Sequence, residues 1–507
     1  MRLIGSTSTE PLYGVQSTRA IECAAAESLP AHSLMTRAGQ AVAQLTQALA
    51  PHAQNLWIAC GPGNNGGDGL MAAALLQRET KRLGLSRRIH LTLAGDPKRL
   101  PADAAHALGA ALSSGLNIAE THPQDFDFAI DALLGIGATR QPTGTLAAQL
   151  AMIRHSRAPV LAVDLPSGLE ADTGVLLGQA AALPGPRHTL SLLTLKPGLF
   201  TAQGRDAAGD VWLDRLGVEP TPSLRPTALL NAASHTTLNF PLRHATHKGS
   251  HGEVLVIGGQ GMGYGDSAMV GAAVLAARAA IRTGAGRVYL CLLEPSERSP
   301  AFDSAQPELM CRTSASAFQG DLLERSVVVC GCGGGEAVVP LLPAVLSRAR
   351  RLVLDADALN AIAADAQLQS LAIQRRAHGW LTVITPHPLE AARLLGCTAA
   401  EVMADRLAAC TQLSERFKVL AVLKGSGTII TAPDEIACIN GSGNGALATA
   451  GTGDVLAGML GATLARSPST KHPLTSVAQT VFHHGRLADQ WVERQGAQPL
   501  TADQLTK

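Results

Sequence analysis

The feature that most constrains this chain is an alternation running along its length. Short apolar runs rich in β-branched residues, each closed by Gly, Asp or Asn, are separated by alanine-rich stretches of helical length, the pattern of βαβ units. In the first half the runs are LWIAC at 56–60, RIHLTL at 88–93, FDFAIDALL at 126–134, PVLAVDL at 159–165 and TLSLLTL at 189–195. In the second they are VLVIGG at 254–259, RVYLCLL at 287–293, SVVVCG at 326–331, RLVLDAD at 351–357, LTVITPH at 381–387 and KVLAVLKG at 418–425. Strands buried on both faces read as continuous apolar runs, so we expect an α/β protein with two parallel sheets covered by helices.

A chain of 507 residues exceeds one ordinary core, and two domains are expected. Residues 217–246 are rich in Pro, Ser and Thr without sustained periodicity and mark the junction between domains at 1–225 and 236–507. No fixed-period repeat is present, and the motifs of the halves differ enough to suggest two unrelated folds. The 51 glycines and 46% hydrophobic residues suit helices lying close on a sheet. With 41 basic and 40 acidic residues and no basic stripe, nucleic acid is not an expected partner. The start, MRLIGSTSTEPLYG, lacks the apolar core of a signal peptide, and apolar runs elsewhere break well short of roughly 18 residues, so a cytoplasmic protein with no membrane partner is expected. The nine cysteines form no CxxC pair and no zinc-spaced cluster with His; Cys330 and Cys332 are expected in a tight turn, as buried or incidental thiols.

GPGNNGGDG at 61–69 follows a predicted strand and precedes a predicted helix. Glycines there permit positive φ and let main-chain amides approach a ligand, while the helix N-terminus brings partial positive charge, so the loop suits phosphate. It is neither GxGxxG nor a P-loop, and a turn without a ligand reads the same way. Asp131 in DALLGIG and Asp164 in DLPSGLEADTG also close predicted strands. A parallel sheet would face both into one crevice with Asn65 and Asp68, where mixed oxygen donors suit a hard cation; each acid alone could equally cap a helix.

These motifs, in order with LYGVQSTRAIE (12–22), LMTRAGQAVA (34–43) and LTLKPGL (193–199), resemble the NAD(P)H-hydrate epimerase family. The resemblance implies a Rossmann-like parallel sheet in which Asn64, Asn65, Gly66, Gly67 and Asp68, with Gly135, Ile136, Gly137, Ala138, Thr139, Arg140 and Gln141, hold the hydrated dinucleotide. It further implies that Asn65, Asp131 and Ser167 ligate K+ and that Asp164 contacts the reacting nicotinamide ring, an acid–base group for inversion at the hydroxylated carbon.

In the second half a strand and glycine-rich loop open HKGSHGEVLVIGGQGMGYGDSAMVGAAVLAARAAIRTGAGRV at 247–288. TPHPLE (385–390), VLKGSGTII (422–430) and GNGALATAGTGDVLAG (443–458) follow. Strand, Lys424, glycine turn and strand suggest a β-hairpin clasping a nucleotide. GTGD at a helix start suggests amides around a transferring phosphoryl group, with Asp454 as the base for a substrate hydroxyl; the simpler role is a helix cap. This set resembles the ADP-dependent NAD(P)H-hydrate dehydratase branch of the ribokinase-like superfamily over about 247–490. By that resemblance Lys424, Gly425, Ser426, Gly427, Thr428 and Gly453 bind the nucleotide, and Ala272, Gly333, His387 and Asp454 line the hydrate site. His387, between two prolines, could otherwise hold a turn.

One departure stands out: the family's GPGLG is GCGGG at 331–335, with Cys332 and Gly334, and a more flexible loop is expected. Gln260 stands where a small residue is usual, and Gly265 and Asp266 match only loosely. The resemblance implies a bifunctional enzyme that epimerises the R and S hydrates of NADH and NADPH and dehydrates the S hydrate with ADP and Mg2+ to NAD(P)H, AMP and phosphate. A homo-oligomer is expected. The rival readings are a ribokinase-like kinase for a vitamin-type alcohol and a catalytically degenerate nucleotide-binding scaffold.

Overall fold

The computed structural model describes all residues except 6–8, 179–182, 221–223, 233–243, 265–266, 295–302 and 468–471, so Gly265, Asp266 and much of the expected junction lie outside the described residues. The chain divides into two compact units, Met1–Gly5 with Glu10–Ala228, and a second made chiefly of Leu229–Lys507.

The first unit carries an eight-stranded sheet in the order Arg2–Leu3, Asp210–Asp214, Arg187–Leu192, Val160–Val163, Phe128–Ala132, Asn55–Cys60, Arg88–Leu93, Ile118–Ala119. Every pairing is parallel except that of the edge strand Arg2–Leu3, which runs antiparallel to Asp210–Asp214. Asn55–Cys60 lies between Arg88–Leu93 and Phe128–Ala132, so the chain winds away from it in both directions and opens a crevice at its carboxyl end. The helix Asn64–Leu83 begins at that point.

In the second unit the strands run Met310–Arg312, Arg287–Leu293, Glu253–Gln260, Val327–Cys330, Arg351–Leu354, Leu381–Ile384, Leu420–Leu423, Ile429–Thr431, Ala437–Asn440. The first seven are parallel and the last two antiparallel, so the expected parallel sheet is extended by antiparallel strands. Leu423 pairs with Ile429, a connection too short for a crossover helix, so Lys424 and its glycine turn do form a hairpin.

Helix Thr452–Arg466 is buried almost throughout. A Cβ on Gly458 would lie 2.0 Å from the Ala276 carbonyl oxygen, and one on Gly461 would lie 2.5 Å from Val329. These two glycines let the helix press against Val270–Arg282 and the sheet, fixing its first turn over the strand ends. Among the described residues, no helix is long and apolar enough to cross a membrane.

Candidate active sites

In the first unit a cleft of ≈ 540 Å³ is lined by Asn64, Asn65, Asp68, Gly135, Ile136, Gly137, Ala138, Asp164 and Lys196, among others. The expected set is therefore only partly gathered. Gly66 and Gly67 are buried in the helix, while Thr139, Arg140 and Gln141 are exposed. The glycines of the 61–69 loop also serve a different purpose from the one expected, since none has positive φ. They answer to space: a Cβ on Gly61 would meet the Leu133 carbonyl oxygen at 1.7 Å, and one on Gly66 the Gly61 carbonyl oxygen at 1.9 Å.

Asp164 follows the strand Val160–Val163 in the left-handed region, at φ 66. Its carboxylate accepts from the ammonium of the fully buried Lys196 and from the Leu192 amide at 3.1 Å. Lys196 also donates to the Leu192 carbonyl at 2.9 Å and to Ser191 Oγ at 3.3 Å. Burial, then the charges of Asp164, Glu22 and Asp103, push Asp68 well above the usual carboxylate range. Glu22 is raised by burial first and by Asp164 second. The cleft thus gathers Glu22, Asp68, Asp103 and Asp164, with the buried ammonium of Lys196 beside Asp164.

Asp131 lies in strand Phe128–Ala132 and is closed off by Ser167, whose hydroxyl donates at 2.5 Å and whose amide donates at 3.0 Å. Burial raises its pKa while the Ser167 bonds oppose the rise. Asn65 abuts Gly135 instead, and its Nδ2 is buried without a hydrogen-bond partner.

In the second unit four neighbouring parallel strands each end just before a chemical group. Val327–Cys330 leads to Cys332, Arg351–Leu354 to Asp355, Leu381–Ile384 to Thr385 and His387, and Leu420–Leu423 to Lys424. Lys424 Nζ donates to Asp355 Oδ1 at 2.6 Å, and the Thr385 hydroxyl donates to the same oxygen at 2.8 Å. A Cβ on Gly453 would lie 3.2 Å from Lys424 Nζ, which puts the ammonium beside the first turn of the helix carrying Asp454. That helix starts from Gly451 at φ 91 with no side-chain cap, so its first-turn amides are unspent by any capping group. Asp454 is not a cap. Burial, then the charge of Asp355, raise its pKa to about 6.

Gly333 lies against Ala272, since its added Cβ would stand 2.9 Å from the alanine's. His387 caps helix Pro388–Leu395, with Nδ1 accepting from the Leu389 amide at 3.1 Å and the Glu390 amide at 3.3 Å. The turn-holding role therefore exists, and His387 still feels Lys424 and Asp355, its pKa lowered by burial first and Lys424 next. Thr428 donates to the Gly425 carbonyl across the hairpin turn at 3.1 Å.

The GCGGG loop, expected to be more flexible than one holding a proline, is hydrogen-bonded to its surroundings through most of its length. Amides of Gly331, Gly334 and Gly335 donate to the Ile257 carbonyl, the Gly331 carbonyl and Asp357 Oδ2 at 3.0, 3.0 and 2.8 Å. The carbonyls of Cys332 and Gly333 accept from the Gly259 and Gln260 amides at 2.9 and 2.6 Å. Gln260 packs against the end of the loop: its Oε1 accepts from the Ala337 amide at 3.0 Å and occupies the space a Cβ on Gly335 would need.

A family profile described as NAD(P)H-hydrate dehydratase matches residues 254–507, and one described as YjeF-related protein N-terminus matches 31–198. The bifunctional NAD(P)H-hydrate repair enzyme of Escherichia coli is 35% identical over 96% of this chain and 90% of its own. That of Coxiella burnetii is 36% identical over 97% of each. The chain belongs to the bifunctional NAD(P)H-hydrate repair enzymes. An ADP/ATP-dependent NAD(P)H-hydrate dehydratase from Bacillus subtilis, co-crystallised with ATP/Mg2+, is similar at 29% identity and TM-score 0.44 over 53% of this chain and 91% of its own.

Three parts of this repair enzyme's second site escaped the sequence reading. Asp355 and Asp357 were visible only as the end of RLVLDAD, and Arg406, 1% exposed, had no motif at all. Arg406 donates to the carbonyls of Leu423, Lys424 and Gly427, each at 3.4 Å, beneath the hairpin turn. Burial lowers its pKa to about 10. In the first site, Lys196 lies within LTLKPGL, where nothing local marks it as a partner of Asp164. Strand-end acids followed by Asp or Ala were the available signal for Asp355; nothing local marked Arg406.

Proposed function

We propose that the chain repairs hydrated NADH and NADPH at two active sites, one in each unit. The observation that carries this reading is the meeting of Asp454, Lys424, Asp355 and the uncapped helix start at the carboxyl ends of four parallel strands. At the second site ADP phosphorylates the hydroxyl of the S hydrate. Asp454 takes the hydroxyl proton, the oxygen bonds to the β-phosphorus, and AMP leaves. Expulsion of phosphate from the ester, with loss of a proton from the adjacent ring carbon to water, then restores the reduced nicotinamide. Amides of the first turn, with Gly453, and the Lys424 ammonium are the groups suited to the charge that moves onto phosphoryl oxygens. Gly425, Ser426, Gly427 and Thr428 would border the nucleotide, and Ala272, Gly333 and His387 the hydrate. Mg2+, which takes oxygen donors, would neutralise the diphosphate; Asp355, Asp357 and Glu390 are the acids on hand.

At the first site Asp164 is the acid–base group for interconverting the R and S hydrates, with Lys196 holding its carboxylate in place. Asn65, Asp131 and Ser167 offer amide, carboxylate and hydroxyl oxygens, a donor set that fits K+, and the unpartnered amide of Asn65 can turn its oxygen toward a cation. K+ would supply a fixed positive field there. Replacing K+ with Na+ tests that part by the rate of epimer exchange. A homo-oligomer and a cytoplasmic location belong to the same reading, and sedimentation of the intact chain checks the first of these.

The deciding experiment gives purified protein hydrated NADH with ADP and Mg2+. Reduced-nicotinamide absorbance should return only when ADP is present. A stable phosphorylated product would instead indicate a kinase, and tight ADP binding without turnover a scaffold.

A further inference from the structure

The thiol of Cys332 does not lie idle in its turn. Its sulfur and one oxygen each of Asp355 and Asp454 all lie within 4.8 Å of one another, the one such group among the described residues. Three donors about 2.0–2.3 Å from a shared zinc ion stand roughly 3.5 Å apart, so from separations of no more than 4.8 Å the donors need close by roughly 1.3 Å at most. The loop that carries the sulfur is fixed by the Gly259, Gln260 and Gly335 amide bonds, and Asp355 is fixed by Lys424 and Thr385 through Oδ1, which leaves its other oxygen for a ligand. The charges also fit. Two carboxylates face one ammonium, and replacing the thiol proton with a divalent cation brings the whole cluster to neutrality.

One sulfur with two carboxylate oxygens is a mixed donor set that favours borderline or soft cations such as zinc and cadmium over magnesium, which takes oxygen alone. We propose that Cys332, Asp355 and Asp454 form a zinc-class metal site inside the second unit, and that filling it stops dehydration by occupying the oxygen of Asp454 that would accept the substrate proton. The site rests on side-chain placement alone; only the inhibition rests on the role proposed for Asp454. GCGGG creates it, because a proline at 332 would offer no ligand.

The test titrates cadmium into metal-stripped, reduced full-length protein and follows the thiolate-to-cadmium charge-transfer band in the ultraviolet. One equivalent should saturate the band, and Cys332→Ala should remove it while the other eight cysteines remain. Asp454→Asn should weaken cadmium and zinc binding by about tenfold or more, read by competition with a chromogenic chelator. Circular dichroism confirms that each variant is folded, and if Cys332→Ala is not, Cys332→Ser replaces it. An undiminished band in the cysteine variant, or no band in the parent, overturns the site. Zinc should also inhibit the parent's ADP-dependent reaction at concentrations that leave Cys332→Ala, measured against its own metal-free rate, unaffected. Binding without inhibition would uphold the site and refute the assignment of Asp454 as base.

Discussion

In the role proposed for it, Asp454 would serve catalysis at a cost to stability. Its pKa rises from 3.8 to about 6 on folding, so the unfolded chain gives up this proton first and the folded state is disfavoured progressively as pH climbs between those values. Asp454→Asn should therefore abolish ADP-dependent dehydration while stabilising the second unit at neutral pH by on the order of 2 kcal/mol, read as a higher Tm. The parent's kcat/KM for dehydration should fall on the acid side with a midpoint at about 6, because only the carboxylate accepts the hydroxyl proton. Lys424→Met should act in the opposite sense, leaving Asp355, 1% exposed, without its ammonium; a loss of about 3–5 kcal/mol in urea unfolding is expected. Asp454 and Lys424 were legible because glycine turns flank them. Asp355 lies 69 residues from the lysine it binds, and Cys332 reaches Asp454 only because helix Thr452–Arg466 packs over the strand ends, which no local pattern encodes.

At the level of elements, long apolar strands declared themselves and short or acid-flanked ones did not. RIHLTL and RVYLCLL match Arg88–Leu93 and Arg287–Leu293 residue for residue. Asp210–Asp214, with acids at both ends, and the two- and three-residue strands Ile118–Ala119 and Met310–Arg312 carry too few apolar residues to register. The glycine loops were found but misread, since close approach of backbones, not left-handed φ, explains 61–69. In the GCGGG loop both causes act at Gly335, which has φ 51 and whose Cβ would fall 2.2 Å from Gln260 Oε1. Gly335→Ala should cost about 1–3 kcal/mol, and Gln260→Ala in the same chain should recover the steric share. A double-mutant cycle should give a coupling of roughly 0.5–3 kcal/mol.

Two chemistries on one polypeptide should be separable by single substitutions. Asp164→Asn should leave dehydration of the S hydrate intact and strand the R hydrate, while Asp454→Asn should still exchange the epimers but return no NADH. Mixing the two variants should convert a mixture of the R and S hydrates completely, because the S hydrate diffuses from one active site to the other; failure of the mixture would mean that the product of one unit does not escape before use. Arg406 carries a consequence for how ADP is received. A guanidinium gripping three carbonyls from below holds the Lys424–Thr428 bend in shape, so a nucleotide bound there, as proposed, would meet a finished mould. Affinity at that bend should then depend little on temperature-driven loosening of the loop, and the calorimetric entropy of ADP binding should carry no signature of segment ordering.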